Sequence, residues 1–440
     1  MEISERFIFH IWDAQHIKTN LQTASGKAIQ IIYPGRWNSA SGADFKDAVI
    51  KLDEEIIRGD VEIHLKTYDW LAHKHQEDRN FNTVILHVVY LNKGNHKFTI
   101  NQAGDLIEIL EIGDFLDQSI NKLLRKYEGI NLSIQNDFCE YFAGRSSDIT
   151  AKLMEKNGLA RLERKLKRFA AEMIFSDFDQ IAYQGIMEAL GYNKNKFQML
   201  QLARKINFSF IKKCRQQGMQ KEELISIFIF SNSLSEHIPS SFPAEIKNKW
   251  LHLYTKQEYF TEKLDIDWKL FRIRPVNHPV IRIVQVIDLI WETSSSSLFK
   301  KIVALFSYTE DAIDLKDFYK RLKKFFHNPN NILPENYLMG QTRIDTLTIN
   351  IIIPLVLLYA RKMSYPNLAD TIIDIYKNYH ALPLNFIEKH MNRFMQTSQV
   401  RLIRKKAMYQ QGLLNLYFDY CKDHNCQICK SQLETDLTNM

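Results

Sequence analysis

Alternation of apolar and polar side chains across residues 55–66, EIIRGDVEIHLK, constrains this chain more than any other feature. A period of two belongs to a β-strand, so Val61, Ile63 and Leu65 line one face while Glu62, His64 and Lys66 line the other. Residues 45–52 form a second candidate strand, and the acidic pair Asp53-Glu54 between them reads as the turn of an antiparallel hairpin. Residues 83–91 follow as an unbroken apolar run, the pattern of a buried central strand. The span 42–89 also holds four histidines: His64, His73, His75 and His87.

The neighbouring segments extend this into a module. Residues 4–17 place Phe7, Ile8, Ile11 and Trp12 at helical spacing behind Ser4 as a cap, and the β-branched run 28–33 is closed by Pro34 and Gly35. Residues 69–79 lose the alternation and read as a short helix or structured loop, and 98–100 and 106–112 are weaker strands. After Asp114 helical periodicity takes over, from 153–175 through 345–362 to 398–419, with no repeat at a fixed period. The expected fold class is α+β, an α/β module over residues 1–130 followed by a larger, mostly helical domain over 131–440, with the boundary somewhere in 113–150.

Composition narrows the setting. With 440 residues and 45% hydrophobic side chains, the chain can bury a large core. Its start is charged and amphipathic, unlike a signal peptide, and its longest apolar run, 347–360, contains Asn350 and Pro354 and is short for a bilayer. A cytoplasmic protein with no membrane partner is expected, and five cysteines fit a reducing compartment better than a disulfide scaffold. The net charge of +7 permits a nucleic-acid partner without demanding one.

Asp44, Glu62, His64 and Lys66 carry the main chemical expectation. A metal-dependent phosphodiesterase needs carboxylates to hold a hard cation and a polar or cationic group to steady water or phosphate, and a hairpin can bring Asp44 beside Glu62. The bland alternative is a solvated hairpin face. Helix, strand, Asp-led hairpin, E-x-H on the second hairpin strand, helix and buried strand together resemble the core of the PD-(D/E)XK nuclease superfamily. That resemblance implies a restriction-endonuclease-like module in which Asp44 and Glu62 bind Mg²⁺ (or Mn²⁺), His64 takes the usual lysine position, and Glu5 is an additional acid. Ala43 replaces the motif's proline, and Lys66 is an alternative cation. More extensively, GADF, GDVEIHLKTYDWLAHKHQED, NTVILHVVY, FRIRPVNHP and GLLNLY resemble an uncharacterised bacterial domain-of-unknown-function family over nearly the whole chain, which assigns no activity.

Other clusters remain open. His73, His75, Asp78 and His87 are types that bind Zn²⁺ or Mn²⁺, but their spacing fits no standard motif, so His73, His75 and His87 stand as substrate-facing or metal-adjacent candidates. Cys421, Cys426 and Cys429, with His424 or the distant Cys139 as a fourth ligand, could hold Zn²⁺; the distant-cysteine arrangement resembles the iron-sulfur pins of some PD-(D/E)XK nucleases. Basic residues cluster at Arg161, Arg164, Lys165, Lys167 and Arg168, and Arg272 and Arg274 lie in a proline-bounded loop; either set could contact phosphate, the alternatives being a solvated helix face for the first and a staple between the helical body and the α/β module for the second. The leading expectation is a metal-dependent nuclease. The alternatives are a non-catalytic nucleic-acid-binding or scaffold protein with a decayed nuclease fold, and a transition-metal hydrolase of a small substrate.

Overall fold

A computed structural model describes residues 3–38, 41–127, 139, 141–307, 314–326, 339–423 and 426–438. Two compact units emerge, residues 1–143 together with 416–440, and residues 144–415. The division after residue 143 lies within the span 113–150, and by contacts the last segment, 416–440, groups with the N-terminal unit and not with the helices before it.

The first unit is built on one mixed sheet. Its strands are β1 (Leu21–Gln22), β2 (Ala28–Tyr33), β3 (Arg36–Trp37), β4 (Phe45–Leu52), β5 (Glu55–Lys66), β6 (Val84–Leu91), β7 (Phe98–Ile100) and β8 (Leu106–Glu111). Their order is β1-β2-β4-β5-β6-β8-β7, with β3 also paired to β4. The β4/β5 pair is the expected hairpin, whereas β5/β6 and β6/β8 are parallel. A parallel step needs a crossover. Residues 69–81 supply it as α2 (Asp69–Ala72) and two 3₁₀ turns, His75–Glu77 and Arg79–Phe81.

Strand parity decides what each face meets. Helix α1 (Glu5–Ala14) starts where the Ser4 side chain accepts from Phe7 N and ends at Gln15 in the left-handed region. Its Phe7, Ile8, Ile11 and Trp12 join Val61, Ile63, Leu86, Val88 and Leu110 in a core on one sheet face. Burying each such side chain contributes about 1.5–3 kcal/mol, enough to fix which face of β5 turns inward. The opposite face carries a smaller cluster of Ala43, Trp70, Phe81, Val84 and Ile107. This unit also contains α3 (Ile120–Tyr127).

The chain is otherwise helical: α4 (Ser147–Glu172), α5 (Phe178–Leu190), α6 (Tyr192–Lys205), α7 (Phe208–Gln216), α8 (Lys221–Phe230), α9 (Ala244–Lys256), α10 (Pro279–Ser294), α11 (Leu298–Val303) and α12 (Leu315–Phe326). Next come α13 (Gln341–Leu347), α14 (Ile353–Lys362), α15 (Pro366–Asn378), α16 (Phe386–Met391), α17 (Thr397–Ile403), α18 (Ala407–Asp419) and α19 (Cys426–Thr438). The fold class is therefore α+β, as expected. Helices α13 and α14 run together as Gln341–Lys362, long and apolar enough to cross a membrane, but 78% of its apolar window is buried inside the protein, as in a core helix. A π turn at Thr348–Ile352 falls where Pro354 can give no N–H to residue 350.

Three of the five basic residues clustered on α4 bond inside the helical unit, while Arg164 and Lys167 are exposed. Lys165 donates to Asn350 Oδ1 at 2.8 Å and Gln411 Oε1 at 2.7 Å, Arg161 donates to Gln411 Oε1 at 3.1 Å, and Arg168 pairs with Glu188. Burial of the Lys165 ammonium pulls its pKa well below the usual lysine range.

Candidate metal centre

A one-residue irregularity sets the geometry. Between β4 and β5 the register runs Leu52↔Glu55 to Ala48↔Gly59, then resumes at Phe45↔Val61, so β4 holds one extra residue. Asp47, at φ 59°, marks this bulge. Continuing the register past it sets Asp44 across from Glu62; an uninterrupted ladder would have set Asp44 across from Ile63, on the core face. The bulge is tied down by Asp60, whose carboxylate accepts from Asp47 N at 3.1 Å, from Lys46 Nζ at 2.7 Å and from Thr83 Oγ1.

The two carboxylates are locked to each other's strands. Asp44 N donates to Glu62 Oε2 and Ile63 N donates to Asp44 Oδ2, both at 3.0 Å. Glu62 is only 5% exposed. Burial raises both acids well above the carboxylate range, and the charge of Glu62 raises Asp44 further. Glu5, at the start of α1, is also raised by burial and feels the charges of His73, Asp69 and His75. Without a cation, Asp44 and Glu62 favour keeping protons at neutral pH.

Imidazoles close around the free edge of Glu62. Its Oε1 lies 3.1 Å from His75 Nε2 and 3.7 Å from His64 Nε2. His64 is bonded at both nitrogens, Nδ1 to His87 Nε2 at 2.9 Å and Nε2 to His73 Nδ1 at 3.0 Å. Burial keeps His64, His75 and His87 neutral by lowering their pKa values, and the other histidines add to this for His64. His75 Nε2 is buried and, among the described residues, forms no hydrogen bond despite its approach to Glu62. One nitrogen from each of His64, His73 and His75 lies within 4.8 Å of the others, so the three could share one ion. Neutral imidazoles and carboxylates are what such an ion takes as ligands.

The wall of this cluster comes from residues that parity could not nominate. His75 stacks on Phe81 at 3.8 Å and meets Trp70 edge-on at 5.3 Å, while Trp70 Nε1 is anchored to Ile100 O at 3.0 Å. Lys46, beyond the bulge, supplies a positive charge that lowers Glu62. Its signal in the sequence was the short F-K-D run after Asp44, which has meaning only once the bulge is known.

Asp44, Glu62, His64, His73, His75 and His87 thus come together. Lys66 is exposed, and among the described residues no hydrogen bond or ion pair joins its ammonium to the carboxylates. Asp78 is engaged locally, accepting from Asn80 N at 2.9 Å. Arg272 and Arg274 are exposed on the helical unit, with Arg272 over the Phe271 ring at 5.0 Å. Cys139 and Cys421 are half-buried, Cys426 is exposed, and Cys429 and Cys214 are buried. Burial first, and then Cys139 and Cys426 nearby, push the Cys421 thiol up to about 12. His424 lies outside the described residues.

Over residues 5–383 the chain matches the family described as "Protein of unknown function (DUF2851)", and it belongs to that family. No curated protein and no solved structure matches it.

Proposed function

We propose that the α/β unit is a divalent-metal-dependent phosphodiesterase acting on nucleic acid, with Asp44 and Glu62 as the carboxylate ligands and the histidine cluster beside them. One observation carries this reading: a bulge turns Asp44 onto the face of Glu62, where His64, His73 and His75 also gather. Two buried acids that destabilise each other have little structural value alone, and a cation would relieve both. The order helix, strand, hairpin, crossover and parallel strand supports the same reading, with His64 two residues beyond Glu62 on the same face.

A bound divalent ion would lower the pKa of a water and polarise a phosphoryl oxygen. The chain's own residues would do the rest. Glu62 and Asp44 neutralise the ion, neutral His75 is placed to take a proton from water, and His87 fixes the ring of His64. Because imidazole favours transition metals, Mn²⁺ is expected to support more activity than Mg²⁺.

The test is cleavage of single- and double-stranded DNA and RNA by purified protein in Mg²⁺ or Mn²⁺. Asp44→Asn and Glu62→Gln should each lower the rate by roughly 100-fold or more. Undiminished cleavage by both variants would sink the assignment. The three-imidazole cluster favours one further reading, a transition-metal hydrolase of a small ester or phosphorylated substrate. Stoichiometric Zn²⁺ or Mn²⁺ lost in His73→Ala and His75→Ala, with turnover of nitrophenyl esters but not nucleic acid, would select it.

A further inference from the structure

In the helical unit, three side chains from three helix starts meet with no acid among them. Tyr192 opens α6, Arg282 lies in the first turn of α10, and Arg343 lies in the first turn of the helix Gln341–Lys362. The Arg343 guanidinium carbon sits 3.4 Å from the centre of the Tyr192 ring, a face-on stack, and that of Arg282 sits 4.9 Å from the same centre. Arg282 Nη2 donates to Tyr192 Oη at 2.5 Å and Asn277 Oδ1 at 2.8 Å, and its Nη1 donates to Gln285 Oε1 at 2.6 Å. Arg343 Nη1 donates to Ala189 O at 3.2 Å. Every one of these acceptors is neutral.

Charge is therefore left unbalanced. Arg282 is only 5% exposed, and among the described residues neither arginine forms an ion pair with Asp or Glu. Burying a guanidinium without a counter-charge costs several kcal/mol, and two in contact with one ring repel each other as well. Burial, with a smaller contribution from the charge of Arg282, pulls Arg343 down to about 10 despite help from Tyr192. Three buried atoms here have no hydrogen-bond partner among the described residues, Arg282 Nε, Arg343 Nε and Gln285 Nε2, and all three are donors. The positive ends of the helices raise the local potential further. Tyr192 itself is held at φ 53°, a region that a tyrosine rarely occupies.

We propose that Arg282, Arg343, Gln285 and Tyr192 form a binding site for a tetrahedral oxyanion of the phosphate class. Guanidinium forks match two oxygens of such an anion, the unpartnered N–H groups supply its donors, and the stack on Tyr192 holds the forks in place. Arg343 keeps part of its surface in solvent, which gives the anion a way in.

Titration calorimetry of the full chain tests this, with inorganic phosphate in one arm and a nucleoside monophosphate in the other. Saturable binding is expected, and Arg343→Gln should weaken it at least about tenfold with an unchanged far-ultraviolet circular dichroism spectrum. Binding of phosphate alone identifies the free ion as the ligand, and binding of the nucleotide alone identifies an esterified phosphate. No saturable binding in either arm, or equal binding by Arg343→Gln, overturns the proposal and leaves a purely structural stack. Should that variant fail to fold, phenylglyoxal labelling of the wild-type chain decides: the bound anion must slow modification of Arg343, and an unchanged labelling rate overturns the site.

Discussion

Glu62 is a carboxylate placed where charge is disfavoured, beside half-buried Asp44 and the imidazoles of buried His64, half-buried His75 and exposed His73. Such a residue set is stable only when protons or a cation fill it, so metal binding should release protons and tighten as pH rises. Calorimetry in buffers of different ionisation enthalpy measures that release. A different residue reports on pH in the helical unit. His278 caps α10 by accepting from Val280 N at 3.3 Å, and burial first, then His237, lowers its pKa to about 4. An imidazole that gains a proton at its accepting nitrogen loses the cap. Because the unfolded chain takes up this proton near pH 6.5 and the folded one only near 4, stability attached to His278 is present above 6.5 and falls as pH drops through that window. The loss reaches at most about 3 kcal/mol. Asn caps equally well and does not titrate, so His278→Asn should flatten that part of the pH dependence in urea titrations at pH 7 and 4.5.

At the scale of elements, the site depends on how two strand pairs meet. Gly59 faces the start of β6 so closely that an added Cβ would lie 2.3 Å from Ile85 Cγ2 and 2.7 Å from Thr83 O. Gly59→Ala should therefore force β5 and β6 apart and cost about 1–3 kcal/mol, read as a lower urea midpoint. The bulge makes a sharper prediction. Deleting Asp47 alone removes the extra residue and leaves Asp44 opposite Glu62 in an unbroken ladder, so metal affinity should survive if the sheet refolds, whereas deleting Lys46 and Asp47 together would shift the register by one, turn Asp44 toward the core face and abolish it. The alternation across 55–66 announced the face of Glu62 and His64 correctly, because parity is a local property of an extended chain. The face of Asp44 was not legible, since one left-handed residue three positions away decides it. The histidines were legible as a group but not as a cluster: residues 69–81 wind through a short helix and two 3₁₀ turns, whose path no periodicity fixes.

On the scale of the whole molecule, the last segment groups with the sheet and not with the helices before it. Cys429 and Leu433 of α19 are buried there, at 7% and 2% exposure. Truncation after Asn415 should destabilise the α/β unit, detected as faster proteolysis within residues 1–143 while fragments of the helical unit persist. Charge was legible in amount but not in use. Among the basic clusters, Lys165 and Arg168 are consumed by internal partners, so Lys165→Met should leave any nucleic-acid affinity and its salt slope unchanged. What the sequence determined by itself was what repeats along the chain: strand parity, helical periodicity, the order of elements and hence the α+β class. Tertiary structure alone decided which distant residues share a space, namely Asp44 with Glu62, His64 with His73 and His75, and Arg282 with Arg343. The reason is physical: periodicity is set by neighbours in the chain, whereas these meetings are set by a bulge, a crossover and three helix ends, whose energies lie in contacts between residues far apart.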